Sequence, residues 1–287
     1  MAYDLRALAK QQRKPRRKSV TLREVAAPQG YATDLYLSCY KPIVDLWAAS
    51  LPAILSAYER TLGEITTDSP ADVQAELSAA KTAFQRLFFL LTPALRTWAL
   101  KTEAVTKSRW RGAVLAATGV DLTTLLGAGD ERGTIESYLE WNTALIRDVH
   151  DQTRKRIADR VFAGLTERKP AREVAKEIRE AVGMARDRSH RIAADQLNKL
   201  SSSMADERRR EAGLDVWMWL HSGKKHPRKE HQARDGRLYT DNSALVGKRV
   251  DGKVVNKAPE RGDMPGQAPY CGCRSRGVLV FEFDSEA

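Results

Sequence analysis

The chain has 287 residues, of which 42% are apolar, and this is enough for a real hydrophobic core in one large domain or two smaller ones. Its 48 lysines and arginines exceed its 37 acidic residues, so the net charge of +11 predicts attraction to polyanions, of which nucleic acid is the commonest. Only three cysteines are present, the N-terminus lacks the apolar core of a secretory signal, and no apolar run approaches the roughly 20 residues of a membrane span. These features exclude a disulfide-stabilised exported protein and favour a soluble intracellular one.

The first 28 residues are strongly basic. Residues 12–18, QRKPRRK, carry five positive charges around Pro15, a composition that resists packing. We therefore predict that residues 1–28 form a mobile basic arm, with a solvated tail lacking any specific partner as the alternative. The candidate nucleic-acid contacts of this arm are Arg13, Lys14, Arg16, Arg17 and Lys18.

Residues 29–135 carry the spacing of a helical region. From Gly30 to about Thr61, apolar residues recur at intervals of three and four, as they do on one face of a helix. A second helix is predicted to begin at the capping residue Ser69, with Pro70 at its first position. A proline inside a helix removes one hydrogen bond, so we expect a break or kink at Pro93.

Residues 136–213 are also predicted to be helical. A turn-rich stretch, residues 119–133, precedes them. Apolar spacing then indicates one helix over residues 136–162, a second over 166–183 that closes at a glycine, and a third over about 186–212.

The pattern changes in the last part of the chain, residues 214–287. VWMWL at Val216–Leu220 is apolar at every position and indicates a buried strand. Asp251-Gly252 lies between short β-prone pieces, which is a signal for a two-residue hairpin, and GVLVFEF near the end predicts another strand. The expected fold is a mainly α N-terminal and central region with a small, loop-rich α+β C-terminal domain.

Histidines and cysteines concentrate in two short pieces of this C-terminal part. His226, His231, Cys271 and Cys273 offer two imidazoles and two thiolates, which is a known ligand set for structural zinc. The four residues between the histidines fit zinc-finger spacing, whereas the single residue between the cysteines is short for chelation. One zinc ion is therefore a candidate cofactor.

Two other interpretations of these residues stay open. In the first, the histidines bond loop backbone, the cysteines are small buried residues, and Asp235-Gly236 makes a tight turn. In the second, the chain is a metal-dependent nuclease or other DNA-processing enzyme centred on His226, His231 and Asp235, although no HExxH, GxSxG or phosphate-binding glycine loop is present. Arg261-Gly262-Asp263 spells an adhesion tripeptide, which we interpret as chance.

The order of these elements resembles the motif of phage minor head proteins, the head morphogenesis family of the Mu protein F type. That motif has a tryptophan-bearing strand, an Arg-x-x-His step, an Asp/Asn-Gly turn, a Pro-Gly pair and a closing Cys-x-Cys. The matching residues here are Trp217, Trp219, Arg228, His231, Asp235, Gly236, Pro265, Gly266, Cys271 and Cys273. The resemblance is strongest from about Asn142 to Ser275. It departs at residues 222–228, SGKKHPR, where many members have an Asp-x-Arg-x-Arg step, so no role of that aspartate can be carried over.

The resemblance implies a structural minor capsid protein and not an enzyme. Members are virion components present in few copies, taken into the procapsid by contact with the portal protein, and some are thought to contact DNA on packaging and ejection. We therefore expect a location inside the phage head, after assembly in the cytoplasm of an infected bacterial host. The expected partners are the portal protein, the major capsid or scaffolding protein, and double-stranded DNA bound independently of sequence.

The expected DNA contacts are the basic arm and the loop from Lys224 to Lys257, beginning with Lys224 and Lys225. On this interpretation the motif residues are structural. A free-standing DNA-binding regulator is the third alternative, and the lack of a recognisable reading helix weakens it. No membrane partner is expected.

Overall fold

The computed structural model describes residues 2–12, 17–63, 71–126 and 132–285, which form two compact units. Unit 1 contains Met1–Gln29, Leu100–Ser137 and Asp195–Ala287, and unit 2 contains Gly30–Ala99 and Tyr138–Ala194. Helices dominate the N-terminal and central parts of the chain, and five of the six described strands lie between Val216 and Val280, which confirms the predicted fold class.

Seven α-helices and one π-helical turn are found in the described ranges. They are α1 (Leu5–Gln12), α2 (Gly30–Leu35), the π-helical turn (Tyr36–Tyr40), α3 (Lys41–Gly63), α4 (Ala71–Thr118), α5 (Arg132–Glu167), α6 (Ala171–Glu211) and α7 (Lys229–Ala233). None of these helices combines the length and the apolar content that a membrane crossing requires. The predicted cap at Ser69 and Pro70 lies outside the described residues.

Two helices run through residues at which the sequence predicted an interruption. α4 continues past Pro93, although an interior proline costs about 3 kcal/mol, because Leu91 and Leu95 on either side are both buried. α6 continues past Gly183, where the cost is only about 1 kcal/mol and the neighbouring Val182 is buried. Burial of the flanking residues outweighs the local preference in both helices.

Aromatic side chains form much of the core of unit 2. Tyr40 and Trp47 are completely buried, and the His150 ring stacks on Phe84 with 3.7 Å between the ring centroids. A Cβ atom on Gly164 would lie 2.6 Å from Val174 Cγ2, so this glycine permits a close approach inside the unit.

A six-stranded sheet organises unit 1. The strands are β1 (Ser19–Thr21), β2 (Val216–Leu220), β3 (Leu238–Thr240), β4 (Arg249–Val250), β5 (Lys253–Lys257) and β6 (Arg274–Val280), in the order β1-β6-β2-β3-β5-β4. Only β3 and β5 pair in parallel among the described strands. The Asp251-Gly252 hairpin prediction is confirmed, since β4 and β5 pair antiparallel across these residues and both have positive φ, 49° and 76°.

Both faces of the sheet are covered, which explains why β2 is apolar at every position. Successive side chains of a strand point to opposite faces. Val216 packs with Leu238, Val255 and Val278 on one face. Trp217 and Trp219 pack with an aromatic and cysteine-containing group on the other, made up of Tyr239, Met264, Ala268, Cys271 and Cys273.

The described part of the N-terminal 28 residues is packed and does not extend as the predicted arm. Leu5 and Ala9 of α1 are buried in a core cluster of unit 1 together with Leu22. β1 pairs with β6, and the backbone N–H of Tyr3 donates to the Glu211 carbonyl oxygen at 2.7 Å. The apolar residues on either side of the basic cluster therefore outweigh its charge. Residues 13–16 of that cluster lie outside the described residues.

Candidate functional site

The candidate site is a cluster of five side chains in unit 1, called the His231 cluster below. His231 and Arg234 belong to the short helix α7 and its C-terminal end. Asp263 ends a single 3-10 turn, and Cys271 and Cys273 lie in the loop that leads into β6. Segments far apart in sequence thus supply the cluster.

Three potential metal-ligand atoms converge in this cluster. His231 Nδ1 lies 3.4 Å from the Sγ of Cys271 and 3.7 Å from the Sγ of Cys273. These three atoms all lie within 4.8 Å of one another, and each of the three residues is buried. Imidazole nitrogen and thiolate sulfur are the donors that zinc prefers.

The other nitrogen of the His231 ring faces a carboxylate. Nε2 lies 2.8 Å from Asp263 Oδ1, while the Arg234 guanidinium donates to Asp263 Oδ2 at 2.6 Å. Partial burial opposes ionisation of Asp263, but the hydrogen bonds from His231 and Arg234 outweigh it and lower the pKa of this carboxyl group. Nε2 therefore faces the carboxylate, and Nδ1 faces the two sulfur atoms.

The surroundings shift the pKa values of the two cysteine thiols in opposite directions. The Cys273 thiol donates a hydrogen bond to Cys271, and this bond lowers the pKa of the Cys271 thiol despite its burial. The backbone N–H groups of Cys273 and Gly266 also favour the Cys271 thiolate. The same thiol contact raises the pKa of Cys273. Cys271 is therefore the cysteine of the pair that ionises more readily, and the thiolate is the form that binds metals.

An aromatic wall from β2 encloses the cluster. The Trp219 ring meets the His231 ring edge-on, with centroids 5.1 Å apart and planes at 75°. The Arg234 guanidinium carbon lies 5.0 Å from the centroid of the same indole. Trp219 is completely buried, so water is excluded from this side of the imidazole.

The turn motifs on either side hold the cluster in place. Asp235 Oδ1 accepts a hydrogen bond from the backbone N–H of His221 at 2.8 Å, and the N–H of Gly236 donates to the Trp219 carbonyl oxygen at 2.9 Å. The Arg228 guanidinium donates to the Pro269 carbonyl oxygen at 2.9 Å. These bonds fix the end of β2 and the start of α7 against the cysteine loop.

The Pro265-Gly266 pair lies against α6. Gly266 has a φ of +81°, and a Cβ atom there would lie 2.2 Å from Ser202 Oγ. Pro265 beside it is buried. Any other residue at 266 would be strained and would push the cysteine loop away from the helix.

Two parts of the sequence-based site differ from the structure. His226 is exposed and lines the adjoining pocket, and it is not among the three converging ligands. The carboxylate bonded to His231 is Asp263 and not Asp235, because Asp235 lies beyond the end of α7 and bonds the His221 backbone. His231 therefore does not form the predicted catalytic centre with His226 and Asp235.

A pocket of about 290 Å³ adjoins the cluster. His231, Cys271 and Cys273 contribute to its lining, together with the more exposed His221 and His226. The remaining lining residues are Ser222, Lys224, Pro227, Arg228, Pro269, Tyr270 and Gly272. The ligand atoms thus have a route to solvent on one side.

The predicted DNA-contacting residues are exposed where the structure describes them. Arg17, Lys18, Lys224 and Lys225 are exposed, whereas Arg13, Lys14 and Arg16 lie outside the described residues. Lys18 Nζ lies 2.9 Å from Asp284 Oδ1, and Lys224 Nζ donates to the Tyr270 carbonyl oxygen at 2.6 Å. Two of the four described cations therefore already have a partner within the chain.

Sequence reasoning missed three residues that support the cluster. Asp263 and Arg234 hold His231, and Asp195 Oδ1 accepts a hydrogen bond from the backbone N–H of Tyr270 at 2.6 Å. Tyr270, directly before Cys271, has a φ of 57° that this bond helps to fix. The position of Asp263, two residues before the Pro-Gly pair, is the one sequence feature that could have pointed to it. Nothing in the sequence distinguishes Asp195 from the other acidic residues.

Comparison with known proteins finds a family match in the part of the chain that contains the motif. The sequence model of a family described as "Phage Mu protein F like protein" matches residues 155–276. An uncharacterised protein of Haemophilus influenzae is 24% identical over 123 residues, which is 42% of this chain and 28% of that protein. The match thus spans less than a third of the relative's length, and no solved structure matches this chain significantly. Residues 155–276, the part of the chain that is similar to this family, contain the whole His231 cluster.

Proposed function

We propose that this chain is a non-enzymatic minor capsid protein that acts in head morphogenesis of a tailed phage, inside the procapsid and head. The observation that carries the proposal is the match of residues 155–276 to the Mu protein F-like family, and the contacts of the motif residues support a structural role for them. The paired tryptophans form the core beside the cluster, the Asp-Gly and Pro-Gly pairs fix tight backbone approaches, and Arg228 ties two loops together. Such a set of residues keeps a loop-rich region rigid.

Contact with the portal protein is the central part of this proposal. Unit 2 exposes two adjacent apolar side chains of α4, Phe89 at 78% and Leu90 at 70%. Contiguous exposed apolar patches mark surfaces that bind another protein, and Phe89 and Leu90 would form part of such a patch. Portal binding would cover them and would bring the chain into the procapsid.

The test is co-purification with the portal protein encoded by the same phage. We expect the native chain to co-purify with the portal, and we expect Phe89→Ser/Leu90→Ser to reduce the recovered amount at least tenfold. The matched control is Met184→Ser, because Met184 is another exposed apolar residue of unit 2, at 55%. The control should co-purify as the native chain does.

Two results would count against the proposal. Absence of any portal co-purification with the native chain would remove its central part. Nicking of plasmid DNA in the presence of Mg²⁺, Mn²⁺ or Zn²⁺, abolished by His231→Ala, would show an enzyme in place of a structural protein.

A further inference from the structure

We propose that His231, Cys271 and Cys273 bind one Zn²⁺ ion through Nδ1 and the two Sγ atoms, in a three-ligand site whose fourth position opens on the adjoining pocket. This inference does not depend on the proposed function. The proposed site has three protein ligands and not the four predicted from the sequence, because His226 is not a ligand.

The distances between the donor atoms fit a tetrahedral zinc ion. With Zn–S bonds of about 2.3 Å and a Zn–N bond of about 2.0 Å, tetrahedral geometry places nitrogen and sulfur about 3.5 Å apart. The distances from His231 Nδ1 to Cys271 Sγ and Cys273 Sγ are 3.4 and 3.7 Å. The two N–S distances therefore fit a bound ion, and the two sulfur atoms lie within 4.8 Å of each other.

The surroundings of His231 match those of a metal ligand. Metal-bound histidines commonly donate their second ring N–H to a carboxylate, which fixes the ring orientation and increases its basicity. Asp263 occupies this place at 2.8 Å from Nε2, and Arg234 holds Asp263 from the other side at 2.6 Å. A histidine that only filled space in the core would not need this oriented pair.

The sulfur side of the cluster also favours bound metal. Cys271 and Cys273 are 4% and 2% exposed, and they are free thiols with no disulfide between them. Both Sγ atoms lie within 4.8 Å of each other and of His231 Nδ1. A bound Zn²⁺ would supply the positive charge that lets both buried sulfurs ionise.

The indole of Trp219 provides a second, independent indication. Its ring is completely buried and belongs to the same core cluster as Cys273, and its Nε1–H has no hydrogen-bond partner of ordinary geometry. A buried donor without a partner costs about 1–3 kcal/mol. A fully ionised Cys273 thiolate on a metal ion would be a better acceptor for this N–H.

The fourth position faces the pocket of about 290 Å³ and not the protein core. The lining on that side includes the polar residues Ser222 and Lys224 and the exposed His226. We infer that water completes the coordination, as at zinc sites with three protein ligands.

The experiment uses the full chain purified without chelator, with zinc measured by elemental analysis and a parallel titration with Co²⁺. We expect close to one zinc per chain, and we expect the absorption bands of a four-coordinate cobalt thiolate. Cys271→Ser and Cys273→Ser should each lose the metal. Cys39→Ser is the matched control, because Cys39 is the third buried free cysteine and lies in unit 2.

Two further variants separate the roles of the neighbouring residues. Asp263→Asn should keep the metal but weaken binding by about 10- to 100-fold, since Asp263 only orients the ligand. His226→Ala should bind as the native chain does. Metal loss in His226→Ala would overturn the open fourth position.

A measurement on the native chain avoids dependence on variants that fold poorly. Added Zn²⁺ should protect Cys271 and Cys273 from alkylation by iodoacetamide, as mapped by mass spectrometry, without altering the labelling of Cys39. Absence of both bound zinc and this protection, after incubation with Zn²⁺, would overturn the proposal and leave the cluster as a hydrogen-bonded scaffold.

Discussion

His231 has a different task for each of its ring nitrogens. Nε2 is bonded to the Asp263 carboxylate, and Nδ1 is directed at the sulfurs of Cys271 and Cys273. The edge of Trp219 closes one side of the ring. The orientation of this imidazole therefore results from segments that meet only in the folded chain.

His150 in unit 2 is a buried histidine of the opposite kind. It is 1% exposed, stacks on Phe84, and has no hydrogen-bond partner for either ring nitrogen. Burial lowers the pKa of His150 to about 4 from the usual 6.5. It is therefore neutral in the folded chain at pH 7 and forms part of the aromatic core.

We predict that His150 makes unfolding easier in mild acid. Between pH 6.5 and 4 the unfolded chain binds a proton that the folded chain does not, so the free energy of unfolding falls as the pH falls. The pKa shift of His150 lowers the free energy of unfolding by at most about 3 kcal/mol, and the full decrease is reached below pH 4. Urea titrations at a series of pH values measure it.

The variants for this test are His150→Leu and His190→Gln. The leucine variant should lose the part of the pH dependence that lies between pH 4 and 6.5. His190 is exposed and stacks on Tyr36, so its replacement should leave the pH dependence in place. An unchanged pH profile in His150→Leu would contradict the assignment.

At the scale of single residues, the sequence predicted that imidazole and thiol groups come together in the C-terminal part. It did not predict all of the residues that hold them in place. His231, Cys271 and Cys273 could be predicted because imidazole and thiol groups are rare in this chain. Asp263 could not be identified, because 32 residues separate it from His231 and a carboxylate gives no signal among 37 acidic residues. His226 was included because it is close to His231 in sequence, and the fold leaves it exposed.

At the scale of elements, local patterns predicted the existence of helices and strands better than their ends. The apolar spacing of α3 and the Asp-Gly turn between β4 and β5 are short-range signals, and both were confirmed. The uninterrupted courses of α4 and α6 depend on burial of residues around Pro93 and Gly183, which a local propensity does not contain. The packing of α1 also depends on residues distant in sequence.

We predict that α1 contributes to the stability of unit 1. Leu5 is completely buried in a cluster with Trp110 and Leu214, so Leu5→Ala should lower the free energy of unfolding by about 2–5 kcal/mol. Urea titration followed by tryptophan fluorescence measures this change.

Lys10→Ala is the control, because Lys10 is an exposed residue of the same helix. Its effect should stay within about 0.5 kcal/mol. If Leu5→Ala also changed stability by no more than this, the first residues would behave as the mobile arm predicted from the sequence.

At the scale of the whole molecule, the charge of the chain is its most general functional property. The segment from Lys224 to Lys257 has ten basic and four acidic residues, and many of its cations are exposed. A net charge of +11 favours contact with phosphate groups without reading base sequence. The charge indicates the type of partner, whereas the spacing of apolar residues indicates the fold.

We predict that the native chain binds duplex DNA with equal affinity for unrelated sequences, and that the affinity falls steeply as salt increases. Each phosphate contact contributes about 0.9 to the slope of log affinity against log salt concentration, so Lys224→Ala/Lys225→Ala should reduce the slope by up to about 1.8. Alanine replacement of the basic cluster, at Arg13, Lys14, Arg16, Arg17 and Lys18, tests the N-terminal residues in the same way. Gel-shift titrations at several salt concentrations provide the slopes.

Lys176→Ala/Arg179→Ala is the matched control, since both residues are exposed in unit 2 and the variant loses the same two charges. If binding depended only on net charge, this control would weaken it as much as Lys224→Ala/Lys225→Ala does. A larger effect of the lysine pair would locate DNA contact on the loop beside the His231 cluster. Because Lys224 also bonds the Tyr270 carbonyl oxygen, zinc content should be measured on the same preparation, so that a change in DNA affinity is separated from a change in the cysteine loop.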